Sequence, residues 1–270
     1  MKTISIQDVS IGPDDFGLIV GPCAIESHEH AMYMATAIKE IVDRLNMQMI
    51  YKSSFDKGNR SSITSFRGLG IDEGLKILEK VRSEINVPVI TDIHLPEQAK
   101  PVSEVVDIIQ IPAFLCRQTD LLMSAGKTNK PVNVKKGQFL APWDMENVIA
   151  KLKDSNCDDI MITDRGTQFG YNNLVADMRS IPIMKEFGYP VIFDATHSAQ
   201  LPGGDGKTTG GMRSMIPTLA RSAVAAGCNG IFMEVHDNVN NARSDASTQW
   251  PLDQLESVLR LLIKIRDAIN

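Results

Sequence analysis

Eight short β-rich runs recur along this 270-residue chain, and amphipathic helical stretches separate most of them. The runs are apolar almost throughout, which is typical of strands that are buried on both faces of a parallel sheet. They cover residues 16–21, 47–51, 87–93, 105–111, 131–134, 159–162, 190–193 and 230–233. Helical periodicity, with Ser, Asp or Pro-Glu near the starts, covers residues 28–45, 72–85, 120–127, 144–153, 212–226 and 252–269.

This alternation predicts a parallel sheet covered by helices. About eight repeats in a chain of this length favour a closed (β/α)8 barrel, the TIM barrel, as a single domain over residues 1–270. An open doubly wound sheet is the alternative, but no Gly-x-Gly-x-x-Gly sequence follows the first run. Residues 1–15 precede the first run, and we expect them to form a short added strand or a lid.

Composition excludes several classes of function. A net charge of −5 argues against nucleic acid as the main partner, because a protein that binds the phosphate backbone needs a positive face. No apolar run approaches the roughly 20 residues of a membrane span, and the N-terminus MKTISIQDVS does not resemble a signal peptide. We therefore expect a cytoplasmic protein without a membrane partner, and four widely spaced cysteines do not suggest a disulfide framework.

In a (β/α)8 barrel the chemistry collects at the carboxyl ends of the strands. Polar residues follow each run: Cys23, Glu26, Lys52, Lys57, Asp92, His94, Gln110, Lys135, Lys136, Asp164, Arg165, Asp194, His197, Glu234 and His236. The basic members, together with Arg60, exceed what one phosphate needs, so they favour two anionic substrates or one that carries phosphate and carboxylate. Taken alone, the segment 51–62 also fits a solvated basic loop, and Lys136 is the cation that best fits a surface role.

Four residues of metal-ligand type follow three of the runs: Cys23, His197, Glu234 and Asp245. A thiolate with an imidazole suits Zn²⁺ or Fe²⁺, and carboxylates extend the range to Mn²⁺. Their spacing contains no short signature such as Cys-x-x-Cys, and a lone cysteine is more often a small buried apolar residue. His94 and His236 compete with His197 for the ligand role, and the other three cysteines fit packing roles.

The glycine-rich segment 200–213, QLPGGDGKTTGGMR, follows the seventh run. The segment contains five glycines, so holding it rigid in the free protein would cost much conformational entropy. It is therefore a candidate lid over the site. A merely tolerated surface loop is the alternative interpretation.

Long motifs are dispersed over nearly the whole chain: GPCAIES at 21–27, KSSFDKGNRSS at 52–62, GLGIDEGLKIL at 68–78, TDIH at 91–94, IQIPAFLCRQTDLL at 109–122, NVKKGQF at 133–139, DRGTQFGYNNLVADMRS at 164–180, FDATHSAQLPGG at 193–204 and SDASTQWPL at 244–252. They resemble the motifs of the 3-deoxy-D-manno-octulosonate 8-phosphate synthase family. The related 3-deoxy-D-arabino-heptulosonate 7-phosphate synthases typically carry Lys-Pro-Arg-Thr where this chain has KGNRS at 57–61. That difference favours the octulosonate family.

The resemblance implies a homotetrameric (β/α)8 barrel and a transferase activity in lipopolysaccharide precursor biosynthesis. Members condense phosphoenolpyruvate with D-arabinose 5-phosphate and water, and they release phosphate by C–O cleavage. The alternatives are a heptulosonate phosphate synthase, a metal-dependent aldolase acting on a phosphorylated sugar, and a barrel that binds sugar phosphate without turnover.

The resemblance also implies roles for individual residues. Lys135 and Arg165 are expected on the phosphate of phosphoenolpyruvate, and Lys52 and Lys57 on its carboxylate and reacting end. The arabinose phosphate is expected at Asn59, Arg60 and Ser61, and Arg117 is expected to reach it from a neighbouring subunit. The remaining expected members of the substrate site are Asp92, Gln110, Ala113 and Gln138. The catalytic set implied in this way is Lys57, Asn59, His197 and Asp245.

Within the family, metal-independent members carry Asn at the position of Cys23, and Cys-Asp-Gly where this chain has Ser244-Asp245-Ala246. Both positions here match the metal-dependent form. The resemblance therefore implies a divalent metal, Zn²⁺, Fe²⁺, Mn²⁺ or Co²⁺, on Cys23, His197, Glu234 and Asp245.

Overall fold

The computed structural model describes residues 1–60, 62–203 and 210–269. Within these residues, one parallel sheet contains β1 Gly17–Gly21, β2 Ile50–Lys52, β3 Val89–Asp92, β4 Ile108–Ile111, β5 Val132–Lys135, β6 Ile160–Asp164, β7 Val191–Asp194 and β8 Gly230–His236. Neighbouring strands pair in sequence order, and β8 pairs with both β7 and β1, so the sheet closes on itself. The predicted (β/α)8 barrel is confirmed.

Eight α-helices follow the strands in the described part of the chain: α1 His28–Arg44, α2 Ile71–Ile85, α3 Ala99–Val105, α4 Thr119–Gly126, α5 Met145–Lys153, α6 Ser180–Lys185, α7 Ile216–Ala225 and α8 Leu255–Ile269. Helices α3 and α6 were not among the stretches marked by periodicity. They have 7 and 6 residues and each contains a proline, so neither is long enough to show a helical period. The predicted run 105–111 began too early, because Val105 ends α3 and β4 begins at Ile108. No helix of the described residues is long and apolar enough to cross a membrane.

Residues 1–15 contain a hairpin in which Ile4–Ile6 pairs antiparallel with Val9–Ile11. Its four buried apolar side chains pack in one cluster with residues that point into the barrel, such as Ile19 and Ile108. Burying such a side chain stabilises the fold by about 1.5–3 kcal/mol. The hairpin therefore packs at the end of the barrel where the strands begin, away from the strand ends that carry the polar residues.

The pleat of the strands decides which polar residues enter the barrel. Successive side chains of a strand point to opposite faces, so a residue two positions after an inward apolar one also points inward. Ile50, Ile90, Ile108, Ile192 and Phe232 belong to the interior cluster, and each precedes a polar residue by two positions. Those polar residues are Lys52, Asp92, Gln110, Asp194 and Glu234.

The end of β1 lies unusually close to β2. A Cβ atom on Gly21 would lie 2.1 Å from the carbonyl oxygen of Lys52, so only glycine allows this approach. Beyond it the pairing continues, because the Ile25 amide donates to the Ser54 carbonyl at 2.9 Å. This contact fixes the backbone on either side of Cys23 at the mouth of the barrel.

Candidate active site

A pocket of about 220 Å³ opens at the carboxyl ends of the strands. Its ionised lining consists of Lys52, Lys57, Arg60, Lys135 and Arg165, with Asp92, Glu234 and Asp245. Asn59, Gln110, Ala113, Gln138 and His197 line it too. Five cations against three carboxylates leave the pocket positive, which favours an anionic ligand.

Two predicted site residues in the described part of the chain, Cys23 and Arg117, do not line this pocket. Cys23 is fully buried and reaches the site through Asp245, to which its Sγ lies 3.6 Å away. Arg117 is exposed, and its backbone carbonyl accepts a hydrogen bond from Lys151 at 2.9 Å. Ser61 lies outside the described residues.

Lys136 is not the surface residue that the sequence favoured. It is 0% exposed, its Nζ lies 3.5 Å from Asp164 Oδ1, and it donates to Thr167 Oγ1 at 3.2 Å. The reason is strand geometry, because Lys135 points into the barrel and the next residue must point away from it. Lys136 and Asp164 form a buried ion pair on the outer side of the sheet, and neither lines the pocket.

His197 is positioned for metal binding by Asp194. The His197 Nδ1 lies 2.7 Å from Asp194 Oδ2, so Nδ1–H donates to this carboxylate and leaves the Nε2 lone pair available. Nε2 lies 3.4 Å from Glu234 Oε2 and 3.6 Å from Asp245 Oδ2. One ring nitrogen is therefore held by a buried carboxylate, and the other faces two further potential ligands.

Cys23 forms a group of three donors with Glu234 and Asp245, beside His197. Ligand atoms of Cys23, Glu234 and Asp245 lie within 4.8 Å of one another. Burial raises the pKa of the Cys23 thiol, and the nearby carboxylates of Asp245 and Glu234 raise it further. A thiol that two carboxylates keep protonated is a donor whose proton a divalent cation can displace. The four residues fit a Zn²⁺-like or Fe²⁺-like ion, with one thiolate, one imidazole and two carboxylates.

The other two candidate histidines lie elsewhere. His94 Nε2 is 3.3 Å from Asp92 Oδ2, and His236 Nε2 is 3.4 Å from Glu26 Oε1. Of the three histidines that the sequence left in competition, only His197 faces Glu234 and Asp245.

Glu234 connects the metal-type donors to the cations. Its Oε1 accepts a hydrogen bond from Lys52 at 2.7 Å and lies 3.7 Å from the Nζ of Lys57, while its Oε2 faces His197. Burial opposes ionisation, but His197 and the lysines outweigh it and hold the pKa of Glu234 well below its usual value. Glu234 is therefore a carboxylate in the folded protein.

Lys135 and Arg165 are two buried cations of the pocket. Lys135 donates to Asp194 Oδ2 at 2.5 Å, and its Nζ lies 3.5 Å from the centre of the Phe232 ring. Arg165 donates through Nη2 to Gln200 Oε1 at 2.5 Å, whereas its buried Nη1 has no hydrogen-bond partner among the described residues. Burial lowers the pKa of both side chains. An anion in the pocket would satisfy the donors that Arg165 leaves open.

The loop that follows β2 brings Arg60 to the same pocket. Arg60 Nη1 lies 3.2 Å from Asp245 Oδ1, and Arg60 Nε donates to the Phe66 carbonyl at 3.1 Å. Asp245 has a φ of 45°, a left-handed conformation that Asp tolerates better than most residues. The turn at Asp245 directs one carboxylate oxygen to Arg60 and the other to His197.

Three site residues received no role from the sequence. Asp194 orients His197 and Lys135, Gln200 bridges Arg165 and Asp245, and Ser244 Oγ lies 2.8 Å from Cys23 Sγ. For Asp194 the signal was present, because it ends a strand two residues after an inward isoleucine. Gln200 begins the candidate lid segment 200–213, whose residues 204–209 lie outside the described part of the chain. Its described part pairs Gln200–Leu201 with Gly210–Gly211, and Pro202 and Gly203 line the pocket.

The sequence profile of the DAHP synthetase I family matches residues 1–270. The chain belongs to this family. A 2-dehydro-3-deoxyphosphooctonate aldolase from Cyanothece sp. is 55% identical over 263 residues, which are 97% of this chain and 96% of the relative. Proteins of the same name from Acidithiobacillus ferrooxidans and Geobacter sulfurreducens are 57% identical over 255 residues and 52% identical over 269 residues. These matches cover 94% and 99% of this chain, and 91% and 98% of the relatives.

Proposed function

We propose that this chain is a 3-deoxy-D-manno-octulosonate 8-phosphate synthase, a transferase that supplies a lipopolysaccharide precursor. It condenses phosphoenolpyruvate with D-arabinose 5-phosphate and water, and it releases inorganic phosphate. The observation that carries the proposal is the convergence of five cations on one pocket that also contains metal-type donors. The shared name of relatives at 52–57% identity supports the same activity.

The pocket offers two places for anionic groups. Lys135 and Arg165 are both buried in the pocket and suit the phosphate of phosphoenolpyruvate, with Lys52 and Lys57 nearer its carboxylate. Asn59 and Arg60 lie on the exposed side of the pocket and suit the sugar phosphate, to which Ser61 and a neighbour's Arg117 contribute. With the two anions bound in this way, the enol carbon of one substrate would face the aldehyde of the other, as the condensation requires.

In the reaction, C3 of the enol phosphate forms a bond to the aldehyde carbon, and water adds to C2. The added water gives up one proton and the former aldehyde oxygen takes one up. The C2–O bond to phosphate then breaks, the electron pair leaves with the phosphate, and the C2 hydroxyl passes its proton to the phosphate as the ketone forms. Lys52, Lys57, Lys135 and Arg165 hold phosphoenolpyruvate and stabilise charge on the leaving phosphate, and Arg60 holds the sugar phosphate beside it against the mutual repulsion of the two anions. Asp194 keeps the proton of His197 on Nδ1. The lone pair of His197 Nε2 is therefore free to bind a metal ion, and His197 is not assigned the role of a proton shuttle.

We propose that Cys23, His197, Glu234 and Asp245 hold a divalent transition metal that activity requires. When bound, such an ion supplies a Lewis acid for the aldehyde oxygen or for the water. Chelation is expected to abolish turnover reversibly, with recovery on adding Mn²⁺, Fe²⁺, Co²⁺ or Zn²⁺. Full activity of protein that elemental analysis shows to be metal-free would contradict this assignment.

A cytoplasmic homotetramer is part of the proposal. Arg117 is exposed and does not line the pocket of its own chain, which suits a role in a neighbour's site. Solution mass, measured by sedimentation equilibrium, tests the assembly, and a fully active monomer would contradict it.

The activity is tested by mixing the enzyme with both substrates and measuring free phosphate and the octulosonate product. Phosphate release that needs both substrates is expected, and neither an aldolase nor a binding protein would produce it. Turnover with erythrose 4-phosphate provides the comparison, because the segment KGNRS at 57–61 favours the longer sugar. Equal or faster turnover with erythrose 4-phosphate would move the assignment to the heptulosonate branch.

A further inference from the structure

A second group of metal-ligand side chains lies outside the pocket. Glu26 follows β1, His30 lies in the first turn of α1, and His236 ends β8. One ligand atom from each lies within 4.8 Å of the other two. None of the three lines the pocket, and none belongs to the donor set around His197.

Asp237 arranges the two imidazoles. Its Oδ1 lies 3.0 Å from His236 Nδ1 and 3.1 Å from His30 Nε2, so one carboxylate oxygen can accept both N–H groups. In the tautomers that donate to Asp237, His236 Nε2 and His30 Nδ1 carry the lone pairs. Both of these nitrogens are buried atoms that lack a hydrogen-bond partner among the described residues, and His236 is only 4% exposed.

The spacing of two of the open donors, on His236 and Glu26, suits a small divalent ion. His236 Nε2 and Glu26 Oε1 are 3.4 Å apart, whereas two ligands at Zn²⁺ bond lengths in a tetrahedral site lie about 3.3 Å apart. The rings of His30 and His236 lie 4.6 Å apart and are tilted by 36°, so they are not stacked in parallel. The Asn238 amide also donates to His236 Nδ1 at 2.9 Å, and this bond requires the tautomer that carries its proton on Nε2. The imidazole thus has one tautomer that binds metal through Nε2 and one that does not.

We propose that Glu26, His30 and His236 form a second site for a divalent transition metal ion of the Zn²⁺ type, with Asp237 orienting both imidazoles. Two imidazoles and one carboxylate favour such ions over Mg²⁺ or Ca²⁺, which prefer oxygen ligands. A carboxylate that fixes the distal N–H of a metal-binding histidine is the usual supporting contact of such sites. This inference does not rest on the proposed activity.

The proposed second site connects the segments that carry Cys23, Glu234 and Asp245. Glu26 lies three residues after Cys23, and His236 lies two residues after Glu234. Glu26 Oε1 also accepts a hydrogen bond at 2.8 Å from the amide of Arg243, in the loop that leads to Asp245. An ion on Glu26 and His236 therefore ties together three segments that each supply a ligand to the donor set around His197, which makes its role structural.

The experiment is a Co²⁺ titration of the metal-free full-length chain, followed by absorbance and by metal analysis. A thiolate ligand gives an intense near-ultraviolet charge-transfer band, which a site made of imidazole and carboxylate lacks. The wild type is expected to bind two equivalents, and Cys23→Ser one equivalent without that band. His30→Ala and, independently, Glu26→Gln are expected to bind one equivalent with the band. His28→Ala, which removes the first histidine of α1 but no member of the cluster, should bind two.

A thermal scan adds a measurement that does not depend on the first site. Zn²⁺ is expected to raise the melting temperature of Cys23→Ser, and this shift should vanish in the double variant that also carries Glu26→Gln. The proposal is overturned if Cys23→Ser binds no Co²⁺, or if both His30→Ala and Glu26→Gln still bind two equivalents. A wild type with one equivalent and no charge-transfer band would instead contradict the first metal site, so the two failures are distinguishable.

Discussion

Replacing Asp194 by Asn tests whether this carboxylate prepares His197 for metal binding. Asp194 is 0% exposed and contacts His197 Nδ1 at 2.7 Å and Lys135 Nζ at 2.5 Å. Burial opposes its ionisation, but His197 and Lys135 outweigh burial and hold the pKa of Asp194 below its usual value. Asn preserves the shape and removes the charge. Because the Oδ1 position accepts hydrogen bonds from the His197 amide and the Thr196 hydroxyl, the NH2 group of Asn is expected at the Oδ2 position, where it donates to Nδ1 and moves the imidazole proton to Nε2.

Removing such a supporting carboxylate typically weakens metal affinity by about 10–100-fold, or roughly 1.4–2.8 kcal/mol. Because Asp194→Asn also leaves Lys135 without its ion-pair partner, we expect a separate loss of stability of about 3–5 kcal/mol. A competitive titration against a chromophoric chelator measures the affinity, and denaturant unfolding of the metal-free chain measures the stability.

Asp164→Asn is the matched control. Asp164 ends β6 as Asp194 ends β7, is 2% exposed and pairs with Lys136 at 3.5 Å, but it contacts no histidine of the described residues. We expect Asp164→Asn to reduce stability and to leave metal affinity unchanged. Equal metal affinities of the two variants would refute the role assigned to Asp194.

Three further predictions follow from individual contacts. Burial raises the pKa of the Cys23 thiol, so a bound metal must displace the thiol proton near neutral pH. Metal affinity should therefore rise about tenfold per pH unit. The number of protons released on metal binding, measured by calorimetry in two buffers, should fall by one in Cys23→Ser. Arg117→Ala should weaken arabinose 5-phosphate binding and spare phosphoenolpyruvate in equilibrium titrations, whereas parallel losses for both ligands would exclude a specific contact. Lys135→Met should reduce phosphoenolpyruvate affinity, while Lys136→Met should lower stability and leave that affinity intact; a reversed pattern would contradict the orientation of β5.

The alternation of runs predicted the barrel because continuous apolar strands and amphipathic helices have clear signatures over four or more residues. Helices α3 and α6 show the lower limit of that signal, since one or two turns with a proline cannot display a period. At the mouth, the same pleat rule distinguishes Lys135 from Lys136 once an inward residue of β5 is known. Residue type alone does not make that distinction, because a lysine that points into the barrel and a lysine buried in an ion pair on the outer face of the sheet are the same residue in the sequence.

The choice among three histidines shows a different limit. His94, His197 and His236 each follow one of the predicted β-rich runs, and the sequence does not say which carboxylate each one meets. In the structure Asp92 takes the first, Asp194 and Glu234 take the second, and Glu26 takes the third. Asp92 and Asp194 lie two and three residues from their histidines in the chain, but Glu234 and Glu26 lie far from theirs, so only the closed barrel reveals those two contacts.

Glu234 makes the metal-type donors and the anion site interdependent. Its Oε1 accepts a hydrogen bond from Lys52 Nζ at 2.7 Å, and its Oε2 lies 3.4 Å from His197 Nε2. An ion that draws charge from this carboxylate weakens its hold on Lys52 and Lys57, so both ammonium groups become more available to an incoming carboxylate or phosphate. Binding of the ion and of phosphoenolpyruvate should therefore be mutually favourable, and by linkage the enhancement must be the same in both directions.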